Sequence, residues 1–90
     1  MLTIHRKQNP DRIMFTVPNG DDDPARNVQW YQLSGLNRRL DFESAETPRA
    51  KLTAIGHGIS GVTMNRFTDE EVARLVAAYA EFCGAPVAAG

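Results

Sequence analysis

The residues with the greatest chemical potential lie in one short stretch, Ile55-Gly56-His57-Gly58-Ile59-Ser60-Gly61. His57 stands between two glycines, which leave space for a substrate backbone or a second chain segment to come close. An imidazole in that setting can act as the general acid and base for a thiol nucleophile. It can equally be a hydrogen-bonded histidine at a tight strand exit. The stretch therefore predicts a site at His57, and leaves open whether its role is catalytic or structural.

Two further interpretations of this stretch need residues that the chain does not supply. The three glycines match the dinucleotide-binding spacing G-x-G-x-x-G, but in that fold a helix contains the third glycine, and here the next predicted helix begins near Thr68. Ser60 could be a hydrolytic nucleophile, but the motif G-x-S-x-G requires glycine where Val62 stands. Nucleotide binding through the glycines and serine hydrolysis are therefore the less favoured alternatives.

Cys83 is the only thiol of the chain and follows His57 by 26 residues. Its predicted place is the C-terminal end of a helix, where the negative end of the helix dipole raises the pKa of a thiol. Because a nucleophile needs a lowered pKa, Cys83 is predicted to pack in the core. The two histidines, His5 and His57, do not form a zinc site with a single cysteine.

Two apolar segments predict the strands that would position these residues. Residues 11–17 are partly β-branched and lie between Pro10 and the turn residues 18–20, which is typical of a strand. Residues 50–55 lead directly into the glycines and carry few polar groups on either face. That pattern predicts a strand inside a sheet that is covered on both sides.

Residues 67–83 predict a long helix. Thr68 and Glu71 form a capping box, and Phe67 before it pairs with Val72 as a hydrophobic staple. An apolar stripe follows at steps of three and four residues. A glycine and a proline at positions 84 and 86 are expected to end the helix.

The sequence of residues 25–45 does not favour a single structure. Residues 27–33 fit either a helix, or a strand whose one face carries Val28, Trp30 and Gln32. Residues 38–42 predict a short strand or hairpin edge, residues 43–49 a polar connection, and residues 59–66 a loop. Residues 20–24 predict a solvated turn, in which Asp23 and Pro24 also suit the start of a helix.

Length and composition limit the classes of protein to which the chain can belong. Its 90 residues, 42% apolar and 23% charged, are typical of a single small globular domain. The strands and the helix predicted above indicate an α/β fold with a short, mainly parallel sheet and a long C-terminal helix on one face. A net charge of −1 lacks the basic excess of a nucleic-acid or anionic-membrane binder, so neither partner is expected. The longest apolar run is too short for a membrane span. The N-terminus does not resemble a signal peptide. A single cysteine suits a reducing compartment, so the expected location is the cytoplasm.

Two motifs carry a resemblance to a known family. Ala-Ile-Gly-His-Gly at 54–58, followed after a polar loop by Thr-Asp-Glu-Glu-Val-Ala-Arg-Leu at 68–75, resembles the autoprocessing cysteine-protease domain of RTX and clostridial glucosylating toxins and related effectors. That domain belongs to the caspase/gingipain-like clan. The resemblance covers about residues 50–82, and residues 13–17 match an early strand of the same sheet.

The resemblance implies a caspase-like half-fold in which His57 is the catalytic histidine. The nucleophilic cysteine would lie beyond residue 90 or on another chain, and the toxin or effector would act in a host cytosol. The implied activator is inositol hexakisphosphate, held in a basic pocket. The basic residues that could contribute to such a pocket are Arg6, Lys7, Arg12, Arg38, Arg39, Arg49 and Lys51.

Three functions follow, from different classes. The first is part of an autoprocessing cysteine protease that supplies His57. The second is a non-catalytic interaction or dimerisation module with the same half-fold, whose open sheet edge would bind a protein partner, a second fragment or another copy. The third is a small nucleotide-binding domain.

Overall fold

The computed structural model describes residues 2–7, 9–19, 22–23 and 27–89. Four short strands and four helices make up this part of the chain, and a 3-10 turn at Leu36–Arg38 precedes the first helix. The elements in chain order are β1 (Thr3–His5), β2 (Met14–Val17), β3 (Gln29–Leu33), α1 (Arg39–Ser44), α2 (Pro48–Ile55), β4 (Gly56–His57), α3 (Gly61–Arg66) and α4 (Asp69–Ala89).

The strands form one sheet in the order β1-β2-β3-β4, and every neighbouring pair is antiparallel. The predicted mainly parallel sheet, and with it the caspase-like half-fold, is therefore wrong. Parallel neighbours need a crossover between them, whereas the described parts of the connections from β1 to β2 and from β2 to β3 contain no helix. The α1–α2 hairpin lies between β3 and β4, and β4 returns antiparallel to β3.

The segment at 50–55, predicted as a strand, belongs to helix α2. Thr47 caps this helix by accepting a hydrogen bond from the Ala50 backbone N–H (3.1 Å), and Pro48 occupies its first turn. Leu52 and Ile55 are both buried, whereas Thr53 between them is exposed. A strand covered on both sides would bury Thr53 as well, while a helix places residues three apart on one face, so this burial pattern fits the helix.

The structure also assigns the other predicted segments. Residues 29–33 form strand β3, whereas residues 38–42, predicted as a strand or hairpin edge, belong to the 3-10 turn and α1. The predicted loop at 59–66 contains α3, which is capped by Ser60. The strand predicted at 11–17 is confirmed for residues 14–17, which form β2. The predicted turn at 20–24 lies partly outside the described residues.

Helix α4 begins where the sequence predicts. Thr68 accepts a hydrogen bond from the Glu71 backbone N–H (3.1 Å), and the Glu71 carboxylate accepts one from the Thr68 backbone N–H (2.9 Å). This reciprocal pair is the predicted capping box. The helix continues to Ala89 rather than ending near Gly84.

The core lies on one face of the sheet. Phe15 is fully buried there, with its ring 5.6 Å from that of Tyr31 and 5.9 Å, edge-on, from that of Phe67. Side chains from all four helices pack against this face. The largest fully buried ones are Tyr79, Phe15, Leu33, Leu52, Ile55, Leu75 and Val72.

Candidate functional site

The opposite face of the sheet contributes no described side chain to the core. Because successive side chains of a strand point to opposite sides, the pairing register assigns every strand residue to one face. We call the side that is away from the core the outer face. Its residues are Thr3, His5, Met14, Thr16, Trp30, Gln32 and His57.

Trp30 is the largest side chain of the outer face and stays 45% exposed. Its ring lies 4.7 Å from the His5 ring at an interplanar angle of 34°. The same imidazole places Nε2 3.0 Å from the Thr16 hydroxyl, and Thr16 itself is buried. The tryptophan therefore has a neighbour that holds its ring in place and retains a surface on which a ligand can pack.

A polar groove of about 670 Å³ adjoins the outer face at strand β4. Its lining includes Arg12 from the segment before β2, Asn37 and Arg38 from the 3-10 turn, Asp41 from α1 and His57 from β4, and residues of α2 also contribute. The volume lies within the range of roughly 300–1,000 Å³ that ligand sites occupy. The outer face and this groove together form the candidate site.

Hydrogen bonds orient both arginines of the groove. The Arg12 guanidinium donates to the Gln32 side-chain oxygen (3.3 Å), and Arg38 donates to the Asp41 carboxylate (3.1 Å). Two guanidinium groups and one carboxylate leave a formal charge of +1 among the described residues that line the groove. The arrangement therefore favours an anionic group of low charge.

His57 does not lie at the end of a buried strand, as the sequence analysis expected. It is an exposed residue of the two-residue edge strand β4, opposite Gln32. Cys83 lines a different cavity, beside Arg39 and Glu43, and burial raises the pKa of its thiol. The structure thus does not bring the chain's only thiol to His57. The role of His57 as a general acid and base stays a prediction.

The glycines and the serine around His57 have structural roles. A side chain at Gly56 would collide with the end of Met64, and Gly58 has a φ of 70°, a conformation that favours glycine. Gly61 opens α3, a helix of only six residues. The Ser60 hydroxyl accepts from the Thr63 backbone N–H (3.2 Å) and donates to the Thr63 hydroxyl (3.1 Å). Binding of a nucleotide through these glycines stays a prediction.

The basic residues proposed for an inositol hexakisphosphate pocket are mostly dispersed. Of the seven, Arg12 and Arg38 line the groove. Four others bind elsewhere: Arg6 pairs with Glu81, Arg39 with Glu43, Arg49 with Asp69, and Lys51 donates to the Phe42 carbonyl. Binding of inositol hexakisphosphate stays a prediction. Two of the seven basic residues expected to contact it line the same groove.

Trp30 is not among the site residues predicted from the sequence, although the signal for it was present. The alternation of Val28, Trp30 and Gln32 fits a strand face, and a tryptophan that shares its face with the polar Gln32 is unusual for a residue that only fills the core. The helical alternative for 27–33 obscured this, because a helix would have placed Trp30 and Gln32 on different faces.

Comparison with known proteins adds no family to this description, since no protein-family model, curated protein or solved structure matches the chain. Within the part of the chain that the structure describes, no three histidine, cysteine, aspartate or glutamate side chains are grouped as a metal site requires. None of the helices, as far as they are described, has the length and apolar character of a bilayer span.

Proposed function

We propose that this chain is a non-catalytic protein-interaction module that binds its partner with the outer face of the sheet. The observation that carries the proposal is the exposure of Trp30, supported by the His5 ring, on a face that no core residue shares. Tryptophan is among the residues that contribute most to binding at protein interfaces, where its large ring becomes desolvated. In the folded chain alone, this ring remains nearly half in water.

The dimensions of the outer face favour a short segment as the partner. The four strands have two to five residues each and lie about 4.8 Å apart, so together they cover roughly 220 Å². A stable interface between two folded proteins needs about 800 Å² on each side. The outer face by itself therefore suits a peptide segment better than a second folded copy of the chain.

The edges of the sheet are less suitable for binding than its outer face. The edge strands β1 and β4 have three and two residues. The Leu2 carbonyl, next to β1, already accepts a hydrogen bond from Arg74 (3.0 Å). Short edges offer few backbone groups to an added strand. The open-edge contact expected from the sequence is thus replaced in this proposal by a contact on the outer face.

Selection of peptides from a random library on the immobilised chain tests the proposal. Trp30 is the only tryptophan of the chain, so its fluorescence reports directly on whether a selected peptide covers the outer face. We expect Trp30→Ser to weaken binding of the selected peptides by about tenfold or more.

Val62→Ser is the matched control, because Val62 is 72% exposed and lies on α3, away from the outer face. This variant should bind as the wild type does. Equal binding by Trp30→Ser and the wild type would contradict the proposal. Cleavage of the peptides that depends on His57 would support the protease instead.

A further inference from the structure

We infer that the groove beside β4 binds the carboxylate of an acidic side chain, carried by the same partner segment that crosses the outer face. This inference rests on the proposed function and adds the chemistry of the partner to it. Its basis is that Arg12 and Arg38 converge on a groove that is continuous with the outer face through Gln32 and His57.

The charge of the groove matches one carboxylate. Arg12 has no carboxylate partner among the described residues, and its bond to the neutral Gln32 amide leaves its positive charge uncompensated. Arg38 is partly neutralised by Asp41 but uses one Nη1 contact for it, so other N–H groups of its guanidinium remain for a ligand. A polyanion such as a nucleic acid would need several such cations, and three of the other described arginines, Arg6, Arg39 and Arg49, pair with carboxylates elsewhere.

The spacing of the site predicts a sequence pattern in the partner. Trp30 and Gln32 are alternate residues on one strand face, so they lie roughly 7 Å apart. Arg12 lines the groove and binds Gln32 of the outer face, so it lies where the groove borders that face. In an extended segment, side chains two residues apart have the same separation. The segment should therefore place an apolar side chain on Trp30 and an acidic side chain two positions before or after it.

Two capped peptides test this inference with the full chain. Acetyl-Leu-Ser-Glu-Ser-Leu-amide carries an apolar residue two positions to either side of its acid, so it satisfies the pattern in both directions. Acetyl-Leu-Ser-Gln-Ser-Leu-amide is its neutral counterpart. Titrations followed by the backbone amide resonances and by the Trp30 indole resonance should give about tenfold tighter binding for the glutamate peptide at low salt, as one charge-assisted contact provides. High salt should reduce this preference.

Substitutions in the groove test whether its arginines cause the preference for the glutamate peptide. Arg12→Gln and Arg38→Gln should each reduce the preference for glutamate severalfold, while both variants still unfold at nearly the wild-type temperature. Arg39→Gln is the matched control, because Arg39 follows Arg38 directly but pairs with Glu43 and lines another cavity. It should keep the full preference.

Three outcomes would overturn the inference. Equal affinity for both peptides, with shifts at Trp30, would remove the carboxylate site and leave the proposed function intact. No shift at Trp30 or His57 with either peptide would also overturn it, and the peptide selection described above would then decide the proposed function separately. Tighter binding of a thymidine oligonucleotide than of the glutamate peptide would assign the groove to a phosphate backbone.

Discussion

Phe15 and Trp30 lie on neighbouring strands of one sheet, yet they face opposite sides and have different surroundings. Phe15 is fully buried between Tyr31 and Phe67, whereas Trp30 is 45% exposed and contacts the His5 ring. The core face thus holds apolar area that stabilises the fold. The outer face holds aromatic and polar groups whose contacts are incomplete. Substitutions on the two faces should therefore change different quantities.

The largest expected effect comes from Phe15→Ala, which should lower the free energy of unfolding by about 3–5 kcal/mol because it leaves a cavity between aromatic neighbours. Trp30→Ala should cost about 1 kcal/mol or less, since much of its ring is in water in the folded state. Urea denaturation of both variants measures the contrast. If Phe15→Ala does not fold, Phe15→Leu gives a smaller loss that can still be measured. Equal losses for Phe15 and Trp30 variants would show that Trp30 is a structural residue.

Tyr79 extends the contrast between the core face and the outer face, because it adds a polar contact to the core side. Its side chain is fully buried, and its hydroxyl donates to the Gly35 carbonyl (2.7 Å). Tyr79→Phe should lower the free energy of unfolding by about 1 kcal/mol at neutral pH, since it removes this hydrogen bond and leaves the carbonyl only the longer bond from the Arg38 backbone N–H (3.3 Å).

The same residue predicts how stability depends on alkaline pH. Burial raises the pKa of Tyr79, so its hydroxyl keeps its proton in the folded chain above pH 10, where the unfolded chain loses it. The folded state then binds more protons than the unfolded state, and stability must fall as the pH rises above about 10. Burial raises the pKa of Cys83 in the same sense. Thermal unfolding across alkaline pH should show a shallower decline for Tyr79→Phe, and an unchanged decline would contradict this assignment.

The parts of the fold that the sequence predicts correctly are those whose hydrogen bonds are local. The capping box joins Thr68 and Glu71, three residues apart, so its pattern is visible in the chain and the start of α4 follows from it. Segment 50–55 is different, because its apolar residues fit both a two-residue and a three-residue period. The local signal that favours the helix is the cap at Thr47, followed by Pro48, and both residues lie in the segment predicted as a polar connection.

The candidate site was predictable in its residues but not in its geometry. His57 and the alternation around Trp30 can be recognised in the chain. The groove cannot be recognised there, because it depends on Arg12 and Arg38, which are 26 positions apart. The pairing of β2 with β3 and the turn that follows bring both residues to the same groove. The antiparallel order of the strands, which brings Gln32 opposite His57, is a product of such long-range packing.

The smallest expected effect on stability concerns His5. His5→Ala removes the ring beside Trp30 and the contact with the Thr16 hydroxyl, but the space that the imidazole vacates opens this hydroxyl to water, which can replace the contact. The free energy of unfolding should therefore change by about 0.5 kcal/mol. Affinity for the selected peptides should fall severalfold, because an unsupported Trp30 ring must be ordered again on binding. Val62→Ser is again the control, since Val62 is exposed on α3 and does not belong to the outer face. A larger loss of stability than of affinity in His5→Ala would mean that this part of the outer face supports the fold and not recognition.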